Sequence, residues 1–203
     1  MQIDFVFSIL ILIVSVIIHE VSHGYAAYYQ GDNTAKFAGR LTLNPIKHLE
    51  LFGSFVLPVI SYLTGGFIIG WAKPVPFNPY NLRNQRWGEA IVAFAGPLSN
   101  IAIATVFGLS LRYAGVSLSE PIQYMFGLIV YINLVLATFN LVPIPPLDGS
   151  KIVFSIFPNS MAGTRDFLEK NGLLLMLVFV FFLWQFISPV IAWEFRFITG
   201  FSA

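Results

Sequence analysis

Charged residues cluster along the chain, and between the clusters it runs apolar for long stretches. Residues 5–18 carry no charge and lead directly into 19–29, while 51–72, 90–111, 121–147 and 171–193 are each uncharged over 22 residues or more. An α-helix needs roughly 20 apolar residues to cross about 30 Å of hydrocarbon, so all five stretches are long enough. The first has no basic leading region and no small-x-small site closing its apolar run, so it reads as a retained helix rather than a cleaved signal. The second differs in kind. It holds Gly53, Pro58, Gly65, Gly66 and Gly70, residues that interrupt helices. Non-helical backbone at membrane depth is tolerated only where protein or a cavity surrounds it. The pattern therefore predicts a re-entrant pair of half-helices over 51–72, with a fifth full span as the alternative.

The connections are short. Within 30–50, the run Gly39-Arg40-Leu41-Thr42-Leu43 alternates enough to predict a small β-strand after the first helix. Residues 72–87 contain Pro74, Pro76 and Pro79 and read as extended loop, 115–120 as a turn, and 142–170 as a proline-rich start followed by an amphipathic helix near 152–157. No repeat or low-complexity tract divides the chain. The expected architecture is an all-α polytopic membrane protein with four transmembrane helices plus the re-entrant segment. It forms one domain over 1–203, with a catalytic core at about 5–157 and a last transmembrane helix at about 171–193. The eleven Lys and Arg orient it. With 51–72 re-entrant, Lys36, Arg40, Lys47, Lys73, Arg83, Arg86, Lys151, Arg165 and Lys170 fall on one side and only Arg112 and Arg196 on the other. Short cytoplasmic loops are enriched in Lys and Arg, so the larger set is expected inside and the N-terminus outside.

Composition agrees with this reading and narrows it. Hydrophobic residues make up 57% of the 203 positions and charged residues 10%, against roughly 25% charged in soluble domains; mean hydropathy is +0.77. Such a chain is expected as a multi-pass protein of the cell membrane, in contact with lipid. A net charge of +1 supplies no field for nucleic acid. The absence of Cys and the presence of only three His exclude thiolate chemistry and restrict any metal site to few nitrogen ligands.

Two of those histidines lie in the first apolar segment, as His19-Glu20-Val21-Ser22-His23. Residues four apart sit about 40° apart around a helix, so both imidazoles point one way, as two ligands of a tetrahedral zinc ion would. Glu20 stands next to them, placed to take a proton from a water and pass it to a leaving amine. Ionisable residues inside a membrane are costly and default to functional candidates. A third ligand must come from elsewhere, and His48 and the carboxylates are the options. Asp32, Glu50, Asp166 and Glu169 lie among basic neighbours and read as solvated surface. Asp148 ends an apolar stretch, in Asn140-Leu-Val-Pro-Ile-Pro-Pro-Leu-Asp148-Gly149, where it is either a ligand or a simple turn former.

The pairing of an intramembrane H-E-x-x-H with a later N-x-x-P-x-P-x-x-D-G resembles the site-2 protease family of intramembrane zinc metalloproteases. Ala95-Gly96-Pro97-Leu98-Ser99-Asn100 resembles a further signature of that family, and Gly39-Arg40-Leu41-Thr42-Leu43-Asn44-Pro45 followed by His48 resembles its small prokaryotic branch without a PDZ domain. The resemblance covers residues 15 to 157. It implies one zinc ion per chain held by His19, His23 and Asp148, with Glu20 as the base and Asn140 near the scissile carbonyl. A buried amide there can donate to a developing oxyanion. His48 is then read as a structural or substrate-entry residue rather than a ligand. The resemblance further implies an endopeptidase acting on transmembrane segments of other membrane proteins. The alternatives are a catalytically silent zinc-binding scaffold or chaperone of the same fold, which would lack Glu20, and a metal-ion transporter, which would need polar residues strung along its spans.

Overall fold

The computed structural model describes residues 2–50, 56, 73–157 and 161–201. The re-entrant segment expected at 51–72 lies outside the described residues, apart from Val56. Within them every regular element is helical. The principal helices are α1 (Gln2–Tyr29), α2 (Thr34–Phe37), α3 (Gly88–Ala114), α4 (Glu120–Asn140), α5 (Asp148–Phe154), α6 (Ala162–Lys170), α7 (Gly172–Val178) and α8 (Trp184–Thr199). A π-helical turn, Phe179–Leu183, joins α7 to α8, so 172–199 forms one apolar rod. Among the described residues, four rods are long and apolar enough to cross a membrane: Val6–Tyr29, Gly88–Ala114, Glu120–Asn140 and Gly172–Thr199. The last runs six residues past the expected end at 193. Glu194 extends it without penalty because its carboxylate accepts a hydrogen bond from Thr138 Oγ1 on α4 at 2.9 Å, and Gly200, at φ +80°, ends the helix in the left-handed conformation.

Local sequence sets the other ends. Pro121 occupies the first turn of α4, where its missing N–H costs nothing. Pro143, Pro145 and Pro146 then prevent any continuation beyond Asn140. α3 is the central element, packed against α4 and α1 along their length and against α5 and α8 at opposite ends. One apolar core joins Ala104 and Leu111 of α3, Val130 and Leu134 of α4, and Ile191 and Phe195 of α8. Where α3 meets α8, Gly108 leaves room for Ile198. Arg112 caps the far end by donating to the Phe197 carbonyl at 2.7 Å.

The expected strand at 39–43 does not form. Among the described residues there is no strand, and this run is a turn followed by bends. Gly39 turns the chain at φ +63°. Arg40, buried at 7% exposure, instead ties this turn to its surroundings by donating to the carbonyls of Lys47, Lys73 and Pro74. His48 closes the same knot. Its imidazole is 1% exposed and donates through Nε2 to the Thr42 carbonyl at 2.7 Å, while its own carbonyl accepts from Lys73 N–H. The result fixes residues 73–77 as an extended strap beside α1.

Asp32 anchors the other end of that strap. It accepts from Thr34, from Asn78 N–H at 2.7 Å and from Asn81 Nδ2 at 2.9 Å. Burial alone would raise its pKa, but these donors outweigh burial and hold it below the ordinary 3.8. Of the amphipathic helix expected near 152–157, only 152–154 are helical, as the end of α5, and 155–157 form a turn and bend; the separate helix α6 is tied to α3 by Arg165 and Glu89 at 3.6 Å.

Candidate active site

His19 and His23 lie one turn apart on α1, and the ring centroids are 4.6 Å apart with planes at 85°. Their Nε2 atoms converge on one oxygen, Asp148 Oδ2, at 3.1 and 3.2 Å. All three residues are under 10% exposed. Asp148 reaches them because the proline run carries the chain back from the end of α4 and restarts it as α5 with Asp148 in the first turn. Gly149 permits this return, since a Cβ there would overlap the carbonyls of Leu141 and Val142. Asp148 is therefore more than a turn former: the fold aims its carboxylate at both imidazoles.

The hydrogen-bond polarity of the cluster bears on what it can hold. His23 Nδ1 is 2.7 Å from the Val92 carbonyl, and His19 Nδ1 is 2.6 Å from Asn100 Oδ1. Both partners only accept, so both Nδ1 atoms carry the hydrogen and each neutral ring turns a lone pair from Nε2 toward Asp148. Three acceptors facing one another need a proton or a cation between them. Ligands about 2.0–2.1 Å from a tetrahedral zinc ion stand about 3.3 Å apart, close to the spacing found here. Two neutral imidazoles, one carboxylate and an open fourth direction make the donor set of a catalytic zinc site.

α3 supplies the floor of the site. A Cβ on Gly96 would lie 2.5 Å from His19 Nε2 and from His23 Cε1, so only glycine lets α3 pass beneath the rings. Pro97 follows and withdraws the N–H that the Ala93 carbonyl would otherwise accept. The Ala95–Asn100 signature thus has a physical content: Gly96 admits the rings and Asn100 orients one of them.

A cavity of about 150 Å³ opens beside the histidines, lined among others by Glu20, Val75, Phe77, Asn140 and Lys151. Glu20 belongs to a cluster with His19 and His23 whose ligand atoms lie within 4.8 Å of one another. Asp148 is better placed than Glu20 to complete a metal site with the histidines, because its Oδ2 lies 3.1 and 3.2 Å from the two Nε2 atoms. Glu20 Oε2 instead accepts from Val75 N–H at 2.8 Å, which points the carboxylate across the cavity. Asn140 lines the same space and spends one amide hydrogen on the Leu136 carbonyl at 2.9 Å, leaving a second to donate. His48 does not line it. The sequence reading missed the strap at Val75, Lys151 and the buried amide of Asn133. Lys151 had a signal, since it lies three residues after Asp148 on the same helical face. The Val75 contact is set by backbone reaching across 55 residues, and no pattern announces it.

The profile of peptidase family M50 matches residues 7–124 and 112–184. The chain is 39% identical over 189 residues to "Putative zinc metalloprotease YwhC" of Bacillus subtilis, covering 90% of this chain and 80% of that protein. It is 32% identical over 158 residues to "Putative zinc metalloprotease MJ0611" of Methanocaldococcus jannaschii, covering 72% of each. It is also 30% identical over 142 residues to "Putative zinc metalloprotease Rip2" of Mycolicibacterium smegmatis, covering 68% of this chain and 52% of that protein. No solved structure gives a significant match.

Proposed function

The chain belongs to peptidase family M50, the site-2 protease family, and from that premise we propose that it is a zinc endopeptidase hydrolysing peptide bonds within transmembrane segments of other membrane proteins. The observation that carries the reading is the depth of the site. His23 and His19 stand six and ten residues before the end of α1 at Tyr29, about 9 and 15 Å along the axis at 1.5 Å per residue. With the end of α1 taken as the membrane surface, a peptide bond reaching this cavity would lie below it.

Zinc held by His19, His23 and Asp148 would polarise the scissile carbonyl and acidify a water. The remaining steps belong to the protein. Glu20, oriented by Val75 N–H, takes a proton from the attacking water as its oxygen bonds to the carbonyl carbon. It then delivers that proton to the amide nitrogen as the C–N bond breaks, so the carboxylate is regenerated. Asn140 donates its second amide hydrogen to the carbonyl oxygen as negative charge builds there. A substrate helix must unwind first, because its carbonyls are otherwise engaged within the helix.

Val75 and Phe77 form the wall of the cavity along which an extended substrate would lie. The site end faces the cytoplasm of the cell membrane, in keeping with the nine basic residues at that end. Nothing favours the silent scaffold, since Glu20 lines the cavity. Reconstitution of the purified chain in liposomes with a transmembrane peptide tests the proposal. Cleavage inside the hydrophobic segment, stopped by a chelator and restored by Zn²⁺, is the expected result; cleavage confined to the soluble flanks, or none, would overturn it.

A further inference from the structure

We propose that Asn133, two helical turns before Asn140 on α4, is a positioning residue of the metal centre that fixes the tautomer of His19 through Asn100. The inference rests on the reading of His19 as a zinc ligand. A ring nitrogen binds metal only through a lone pair, so His19 must carry its hydrogen on Nδ1 and not on Nε2. Asn100 Oδ1 enforces this only while the amide of Asn100 keeps its oxygen toward the ring. Rotated by 180°, the same amide would present N–H₂ to Nδ1, move the hydrogen to Nε2 and close the site to metal.

The contacts around Asn133 forbid that rotation, one forced step at a time. The Ile129 carbonyl can only accept, so the atom of Asn133 that lies 2.9 Å from it must be Nδ2; the same nitrogen is 3.0 Å from Ser15 Oγ. Asn133 Oδ1 must then face the other way, where it meets Asn100 at 2.9 Å. An oxygen there requires Nδ2 of Asn100, which is also 3.4 Å from the Ser15 carbonyl. Oδ1 of Asn100 is left for His19 Nδ1, at 2.6 Å. Both asparagines are 0% exposed, so no bulk water competes for these groups. The relay joins α4, α3 and α1, and its direction is set by an ordinary helix carbonyl. An asparagine amide fully buried between three membrane helices is costly unless every group is satisfied, and here each bond contributes to one orientation.

The test is zinc affinity, read by competition with a chelator on the full chain in detergent, for wild type, Asn133→Leu and Asn133→Asp. Leucine has similar bulk and no polar atom, and it frees the Asn100 amide to turn. It should weaken zinc binding 10- to 100-fold, the usual effect of losing an outer partner of a metal ligand. Aspartic acid in so dry a place stays protonated. It then accepts from Asn100 through its carbonyl and donates to Ile129 through its hydroxyl, as asparagine does, and should restore zinc affinity to within about threefold of wild type. Should leucine fail to pack, Asn133→Ala cannot clash and should show the same weakening. Leucine and alanine variants that bind zinc within about threefold of wild type would overturn the proposal. So would an aspartate variant as weak as leucine, since packing and not polarity would then explain the loss. A wild-type chain that binds no zinc would instead refute the metal-centre reading on which the proposal stands.

Discussion

Gly96→Ala adds one methyl group to a helix and should nevertheless weaken the metal site. The new Cβ would lie 2.5 Å from His19 Nε2 and from His23 Cε1, where contacts below 3.0 Å are essentially never seen and 3.4 Å marks ordinary packing. Each ring would have to retreat by about 0.9 Å, whereas metal–ligand distances hold to about ±0.2 Å. Without metal the rings can swing away into the cavity, so the strain falls mainly on the zinc-loaded state. Overpacking of this kind costs about 1–3 kcal/mol, which corresponds to a roughly 5- to 150-fold rise in the zinc dissociation constant. Alanine is also the better helix former, by about 1 kcal/mol, so the apo protein should melt no lower than wild type. Chelator competition with parallel thermal melts measures both effects. A Gly96→Ala protein that binds zinc within twofold of wild type would refute the placement of α3 beneath the rings.

Other substitutions separate the remaining parts of the site. Asp148→Ala removes the oxygen that both Nε2 atoms touch and should lower zinc content well below one per chain; retention of one zinc would move the third ligand elsewhere. Val75→Pro deletes the N–H that Glu20 accepts and should lower kcat by about tenfold with zinc content unchanged, as assayed on a model transmembrane substrate. Asp32→Asn places an amide nitrogen or a weaker acceptor among donors and should cost about 1–3 kcal/mol at neutral pH. The Asp32 pKa is lowered on folding, so its contribution is present above about pH 4 and is lost as pH falls through the folded value. The Tm gap between wild type and Asp32→Asn should accordingly shrink below pH 4.

The parts of this molecule legible in its sequence are those written in local periodicity. His19 and His23 share a face because four residues nearly complete a turn, and the four described spans follow from uncharged runs interrupted by prolines or charges. Asp148 stood out as a carboxylate closing an apolar run, and the structure turns it onto the histidines. The expected strand at 39–43 does not form because alternation supplies no pairing partner; Arg40 instead binds the carbonyls of Lys47, Lys73 and Pro74, contacts that leave no periodic trace. Asn133 was available to the same reasoning that picked out His19, being a polar residue in an apolar stretch and seven residues from Asn140 on one helical face. Its partners, though, lie 33 and 118 residues away, and only the packed structure brings them together. Residues 51–72, where the composition departs most from a plain span, lie outside the described part of the chain except for Val56.

The central claim, that Glu20 moves protons at a zinc site inside the membrane, is tested most directly by Glu20→Gln. Glutamine keeps the shape and can still face Val75, but it cannot take a proton from water. Zinc content and cleavage of a reconstituted transmembrane substrate should be measured on the same preparation. One zinc per chain with cleavage reduced at least 10²-fold is the predicted result; cleavage at the wild-type rate would contradict the account.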